Sequence, residues 1–253
     1  MAKIIHILSG GMDSTTLLYK LINENNQVKA ISFNYGQRHS KELSFAEYHC
    51  KKLKVDHEII DISSIMKIFG KDSALINKDV EVPDGHYEEL VMKKTVVPNR
   101  NMIMLSLATA YCIGQKYDQV SYGSHFGDHA IYPDCRQIFS DALGIAIQLC
   151  DWREIKLIRP FISINKKEIA IIGKNLKIDY TKTWSCYKGL ELQCGKCGTC
   201  IERREAFYLG KVEDLDINYL PDAPNLEILI LHKFQLKEIE KQRRQNYGAM
   251  FVH

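Results

Sequence analysis

The chain has 253 residues and a mass of 29.1 kDa, enough for one α/β domain with an appendage and a sizeable core. Hydrophobic residues make up 45% and charged residues 26%, which excludes a disordered chain. The net charge is only +3, and five cations against three acids fall in 226–253, so the near-neutral body excludes nucleic-acid binding by bulk electrostatics, and no apolar run approaches the ~20 residues of a membrane-spanning helix.

Met1–Ser9 is a short apolar stretch without a small-residue cleavage site, and it runs into Gly10-Gly11; it reads as a first strand, Ile4–Leu8, rather than a signal peptide. A helix follows from Ser14 to Asn23, with Leu17, Leu18, Leu21 and Ile22 inward. Val28–Phe33 is the second strand, Ser40–Leu53 a helix with Leu43, Ala46, Cys50 and Leu53 on one face, and His57–Ile62 the third strand. Gly70–Pro98 is irregular and longer than most connections, which predicts a functional loop or lid. Asn101–Ile113 is apolar nearly all round, as in a helix buried at the centre. Gln119–Tyr122 is the fourth strand, Gly123–Arg136 a polar loop, Phe139–Leu149 an amphipathic helix, Lys156–Arg159 a fifth strand and Lys166–Leu176 a helix. A last helix is expected over Asn225–Gln245. Strands alternating with helices predict an α/β fold with a parallel five-stranded sheet and helices on both faces. The expected division is an α/β domain over 1–180, a cysteine-bearing segment over 181–224 and a helical tail over 225–253.

The turn after the first strand, Leu8-Ser9-Gly10-Gly11-Met12-Asp13-Ser14-Thr15-Thr16, carries the first chemical signal. Its glycines permit a tight turn and close approach of a ligand. The next helix aims its free N–H groups and positive dipole end at the same spot, which suits a phosphate. Four hydroxyls add donors, and Asp13 fits an anion site where a Mg²⁺ lies between it and the phosphates. The turn lacks the Walker lysine and the G-x-G-x-x-G of dinucleotide binders. The plainer reading is a tight turn with a Ser/Asp helix cap.

Four of the eight cysteines form Cys186-x₇-Cys194-x₂-Cys197-x₂-Cys200. In a chain without a secretion signal this spacing points to a metal and to a reducing, cytoplasmic compartment rather than to disulfides. Four thiolates suit tetrahedral Zn²⁺ with no open position, hence one structural ion; an iron–sulfur cluster and a nucleic-acid-binding zinc ribbon are the alternatives.

The S-G-G-x-D-S turn resembles the pyrophosphate loop of the N-type ATP pyrophosphatases, which have a Rossmann-like sheet and cleave ATP to AMP and pyrophosphate. Further motifs narrow the resemblance: Phe33-Asn34-Tyr35-Gly36-Gln37-Arg38-His39, Val97-Pro98-Asn99-Arg100-Asn101, Tyr132-Pro133-Asp134-Cys135-Arg136, and Thr183-Trp184-Ser185-Cys186-Tyr187 ahead of the cysteine cluster. In this order, over about residues 4–208, the chain resembles the 7-cyano-7-deazaguanine synthases of the QueC family. The resemblance implies an enzyme that adenylylates 7-carboxy-7-deazaguanine with ATP, replaces AMP by ammonia, and repeats the activation on the amide to reach the nitrile. It also implies one Zn²⁺, Mg²⁺ with ATP, and a homodimer, with no membrane and no direct nucleic-acid contact. Under it Arg38 and His39 are expected at the carboxyl edge of the sheet where ligands bind, Arg100 is expected to face phosphate or the carboxylate, and Lys166 a phosphate. Asp134, with Asp128 as second choice, is expected to accept from the guanine-like edge. For each a structural alternative exists: a capped loop for Arg38 and His39, an ion pair with Asp128 for Arg100, a turn aspartate for Asp134, a solvated first turn for Lys166. The loop 123–131 departs from the asparagine-bearing form of many members. A related antiphage enzyme that joins the same carboxylate to a protein amine would share residues 1–208.

Overall fold

A computed structural model describes residues 1–86, 89–212 and 219–231. Strands β1 (Lys3–Ile7), β2 (Gln27–Asn34), β3 (His57–Asp61), β4 (Gln119–Ser121) and β5 (Lys156–Ile158) form one parallel sheet in the order β3-β2-β1-β4-β5. Parallel neighbours need crossovers, and helices supply them. Helix α1 (Met12–Asn23) joins β1 to β2, and α2 (Glu42–Leu53) joins β2 to β3. Between β3 and β4 lie α3 (Ser63–Phe69) and α4 (Arg100–Gly114), and α5 (Gln137–Gln148) leads to β5. Two helices, α6 (Lys166–Asn175) and α7 (Gly198–Gly210), follow.

Strand side chains alternate between faces, so β1 feeds two cores. Ile5 packs with Ile31 and Phe33 against Met66, Leu105, Ala108, Leu143 and Ile147. Ile4 packs with Leu17, Leu21, Ile169, Ala206 and Phe207, while Leu8 and Ala30 meet Leu18, Ala46 and Cys50. The expected sheet with helices on both faces is therefore what forms. Its strand order reverses between β1 and β4, and the crevice beyond their carboxyl ends is where such sheets bind ligands.

The strands expected from the sequence coincide with these to within one or two residues. Other expectations need correction. Helix α4 is not apolar all round in its setting: Met104, Leu105, Ala108 and Cys112 are buried, but Met102 and Leu107 are exposed. Helices α3 and α7 were not expected. The connection 70–98 is tied down where it is described. Ala74 N–H donates to Lys94 O (2.7 Å), Gly85 N–H to Lys196 O (3.1 Å), and Ala74 and Val82 pack against the four clustered cysteines. The tail is helical over 226–231; the rest of its expected helix lies outside the described residues. Among the described residues no helix is long and apolar enough to cross a membrane.

One polar residue sits inside β1. His6 is fully buried, with Nε2 2.8 Å from Ser14 O and Nδ1 2.8 Å from Ser121 Oγ. A carbonyl only accepts, so Nε2 carries the proton and Nδ1 accepts from the Ser121 hydroxyl. The neutral ring thereby ties β1 to β4 and to the first turn of α1. Burial pulls its pKa from 6.5 to about 4, so between those values the unfolded chain takes up a proton that the folded one refuses. The contribution is complete above pH 6.5 and is lost as pH falls toward about 4. Urea unfolding at stepped pH should show this loss in the wild type. His6→Gln should cost about 1–3 kcal/mol at neutral pH and flatten the acid limb.

Candidate active site

The turn leaving β1 is shaped by its own small side chains. Ser9 N–H donates to Ser14 Oγ (3.1 Å), Gly11 N–H donates to Ser9 Oγ (3.2 Å), and the two serine oxygens lie 3.0 Å apart. Gly10 takes φ +87°, and a Cβ there would stand 2.0 Å from Glu42 O at the start of α2. Its own carbonyl accepts from Trp184 N–H (3.0 Å), so the segment before the cysteines closes over the turn. Ser9, Gly11, Met12, Asp13 and Ser14 line a cavity of about 220 Å³. Leu8 is wholly buried in the core beside it. Thr15 is also wholly buried, its hydroxyl without a hydrogen-bond partner. Thr16 Oγ1 donates to Met12 O (2.7 Å) and accepts from Tyr180 Oη (2.7 Å).

One wall of the cavity is charged. Lys166, at the start of α6, places Nζ 2.7 Å from Glu202 Oε2 and 3.2 Å from Asp13 Oδ2. Burial opposes its charge, but Asp13, Glu202 and Asp128 outweigh it and hold the ammonium well above the ordinary lysine range. His125 Nδ1 accepts from Gly127 N–H (3.0 Å), leaving Nε2 3.6 Å from Asp128, 3.8 Å from Asp13 and 3.9 Å from Glu202. Asp13 Oδ1 is buried without a hydrogen-bond partner. Converging hard oxygens with one orphaned acceptor suit a divalent cation. Neither Glu202 nor His125 was singled out from the sequence. Glu202 lies on α7, two residues past Cys200, in a stretch where the cysteine spacing hid the helical period.

The facing wall is aromatic. Tyr35, His39, Glu42, Arg100, Tyr132, Trp184 and Tyr187 all line the cavity. Arg100 Nη1 donates to Tyr35 Oη (3.2 Å), with the guanidinium 5.5 Å from that ring's centroid. Burial, then the Arg100 and Arg38 cations, press His39 down to about 3. Burial pushes Glu42 up to about 8, against the pull of Gln37 and Arg100.

The structure thus brings Asp13, His39, Arg100, Asp128 and Lys166 to one cavity and leaves Arg38 and Asp134 off its lining, as it does Leu8, Gly10, Thr15 and Thr16 of the expected turn. Arg38 Nη2 donates to Asn77 O and Val80 O, both at 2.8 Å, and so fastens the 70–98 connection. Asp134 Oδ2 accepts from Asn101 N–H (3.0 Å) in the first turn of α4.

Cys186, Cys194, Cys197 and Cys200 are completely buried, and their sulfur atoms all lie within 4.8 Å of one another. Cys194 Sγ and Cys200 Sγ are 3.9 Å apart. A tetrahedron with ~2.3 Å metal–sulfur bonds has an edge of about 3.8 Å, so the four can hold a single metal ion. An iron–sulfur cubane would hold its thiolates farther apart. Cys197 N–H donates to Cys194 Sγ (3.2 Å) and Cys194 N–H to Cys186 Sγ (3.4 Å); Gly195, at φ +71°, turns the loop between them. From this cluster α7 departs. Its Arg203 is fully buried and donates to Thr183 Oγ1 (2.7 Å) and Tyr180 O (2.8 Å).

A doubly wound parallel sheet, with an S-G-G-x-D-S turn and a lysine converging on a cavity at its switch point, defines a nucleotide-binding α/β protein of the pyrophosphate-loop class. Within it the family is specific: residues 3–210 match the model of the family described as "Queuosine biosynthesis protein QueC", and this chain belongs to that family. It is 51% identical over 205 residues to the 7-cyano-7-deazaguanine synthase of Methanoregula boonei, covering 81% of this chain and 94% of that one. It is 51% identical over 212 residues to the synthase of Caldicellulosiruptor saccharolyticus, covering 84% and 93%. Among solved structures, the NH3-dependent NAD synthetase of Campylobacter jejuni aligns with a TM-score of 0.42 at 21% identity, covering 90% of this chain and 82% of that one.

The crowding at Gly10 sets a test. Gly10→Ala should cost more than about 2 kcal/mol, because both the positive φ and the Glu42 carbonyl oppose a side chain. Gly11→Ala meets nothing nearer than 3.3 Å and should be milder in the same urea titration.

Proposed function

We propose that the chain is an ATP-dependent carbon–nitrogen ligase that turns 7-carboxy-7-deazaguanine and ammonia into 7-cyano-7-deazaguanine. The curated relatives are named for the synthesis of that product. The observation that carries the reading is the convergence of the Ser9–Ser14 turn, Lys166 and Arg100 on one cavity, whose other side is aromatic. Such a cavity brings a nucleotide and a planar acid together.

In this reading the base carboxylate attacks the α-phosphorus of ATP and pyrophosphate leaves. Ammonia then attacks the acyl carbon and AMP leaves, giving the amide. The amide oxygen attacks a second ATP, pyrophosphate leaves, and loss of AMP with a proton gives the nitrile. The turn's N–H groups and hydroxyls grip the departing pyrophosphate. Lys166, exchanging its Asp13 and Glu202 partners for phosphate oxygens, neutralises charge building there. Arg100 draws the substrate carboxylate into line. Mg²⁺ entering with ATP supplies further neutralisation, and Asp13, Asp128 and Glu202 would hold it. Zn²⁺ on the four cysteines is structural, since no ligand position is open. The pairing of a 1–180 nucleotide domain with a 181–224 zinc segment, and the homodimer the resemblance implies, belong to the same proposal.

Incubation with ATP, the 7-carboxy base and ammonium should release AMP only when the base is present and give the nitrile by mass spectrometry. A base-sized mass added to a partner protein, with no nitrile, would favour the antiphage reaction instead. Lys166→Met should lower kcat by about 10²-fold or more with folding intact. Metal analysis should find one zinc per chain, and Cys200→Ser should lose it together with the cooperative unfolding of α7.

A further inference from the structure

Two buried polar groups on the aromatic wall have hydrogen-bonding capacity that the protein does not use. His39 is 3% exposed, lines the cavity, and its Nδ1 has no hydrogen-bond partner. One arrangement of protons makes that nitrogen a donor. Arg100 is only a donor, so Tyr35 Oη accepts from it (3.2 Å) and is free to donate its own proton to His39 Nε2 (3.4 Å). In that arrangement the ring's one proton sits on Nδ1, as an N–H without an acceptor in the protein. Beside it lies Glu42, 8% exposed, its Oε1 3.2 Å from Gln37 Nε2 and 3.6 Å from His39 Nε2. Gln37 is itself fixed by Phe33 O (3.2 Å) and Tyr35 N–H (2.8 Å), so the carboxyl is held in place. A buried carboxyl and an unmatched N–H are costly unless a ligand completes them.

We propose that Glu42 and His39 form the specificity site for a 2-amino-6-oxopyrimidine edge. Glu42, ionised once the ligand is in place, accepts from the ring N–H and the exocyclic amine, and His39 donates to the 6-oxo oxygen. Such an edge offers two adjacent donors and then an acceptor, the complement of this pair. The Arg100 cation donates to Tyr35 and lines the same cavity, where it would meet the acid group of the same molecule. Adenine has no acid group for Arg100 and only one donor on the corresponding edge. Asp134, the residue expected from the sequence to accept from that edge, instead engages the first turn of α4.

This inference rests on the ligase reading, and the test separates the two. Base-dependent AMP release is measured with 7-carboxy-7-deazaguanine and with its analogue lacking the 2-amino group. The wild type should prefer the parent by about 10²-fold in kcat/KM, because the analogue leaves the carboxylate unmatched. In Glu42→Gln, activity on the parent should fall until the preference is within about threefold, while KM for ATP stays put. A wild type that uses both bases equally well overturns the proposal without any variant having to fold. So does a Glu42→Gln enzyme that keeps its preference, or one whose ATP KM rises instead, which would give Glu42 to adenine. No AMP with any base from the wild type overturns the ligase reading itself.

Discussion

The close approach of three backbone segments at Gly10 is the constraint on which the rest of the site depends. The carbonyl of Glu42 lies where a Gly10 Cβ would be, and the Gly10 carbonyl is taken by Trp184 N–H. The turn leaving β1 is thus wedged between the first turn of α2 and the segment that leads into the metal cluster. A side chain at Gly10 would collide with the first of these, and the turn itself takes a positive φ that suits glycine. Through them the turn, the Tyr35–Glu42 wall and the cysteine segment share one rigid seat. The cavity they enclose is correspondingly preorganised, its electrostatic groups already fixed before any ligand enters.

The two walls of that cavity divide the charge. On one side three carboxylates gather around one lysine and a buried histidine. Alone this wall would repel a triphosphate, so it makes chemical sense as an anion site only with a divalent cation between the carboxylates and the phosphates. On the other side Arg100 stands over Tyr35, and among the described residues no carboxylate lies within ion-pair distance of it. A nucleotide and a heterocyclic acid would each find the environment suited to it, with the reacting atoms between the two walls.

The architecture was legible because its signals are local. Apolar runs such as Ile4–Leu8 and Val28–Phe33 alternate with amphipathic stretches, and a parallel sheet follows from that alternation. The glycine turn and the cysteine quartet were readable for the same reason: each is a contiguous motif with one dominant chemical meaning. What escaped depends on distance in the chain. Glu202 meets Lys166 across 36 residues, and His125 meets Asp13 across 112 positions of sequence; no spacing rule connects them. Helix α3 is seven residues long, too short for a periodicity to emerge. Helix α7 was masked by its own ligands, since C-x₂-C spacing reads as a loop while Cys200 already occupies the first helical turn. Arg38 and Asp134 show the converse limit. Each falls in a motif and at the right edge of the sheet, yet the direction of a side chain is set by neighbours the sequence does not reveal, here Asn77, Val80 and Asn101.

The four-cysteine cluster adjoins the cavity and bears on its geometry, and the helical period explains how. Cys197 caps α7 and Cys200 lies in its first turn, so an ion bound there fixes the helix in both position and rotation. Successive residues on a helix point about 100° apart. With the rotation fixed, Glu202 reaches Lys166 at the charged wall, and Arg203 turns inward to Tyr180 O and Thr183 Oγ1. The first contact sets where the lysine waits. The second secures the stretch that carries Trp184 onto Gly10. A helix free to rotate by one residue would exchange these two partners, burying a carboxylate where the guanidinium now sits. A fully closed four-thiolate site therefore has a direct consequence for the cavity: it sets the phase of α7, and with it the positions of Glu202 and of the stretch that carries Trp184.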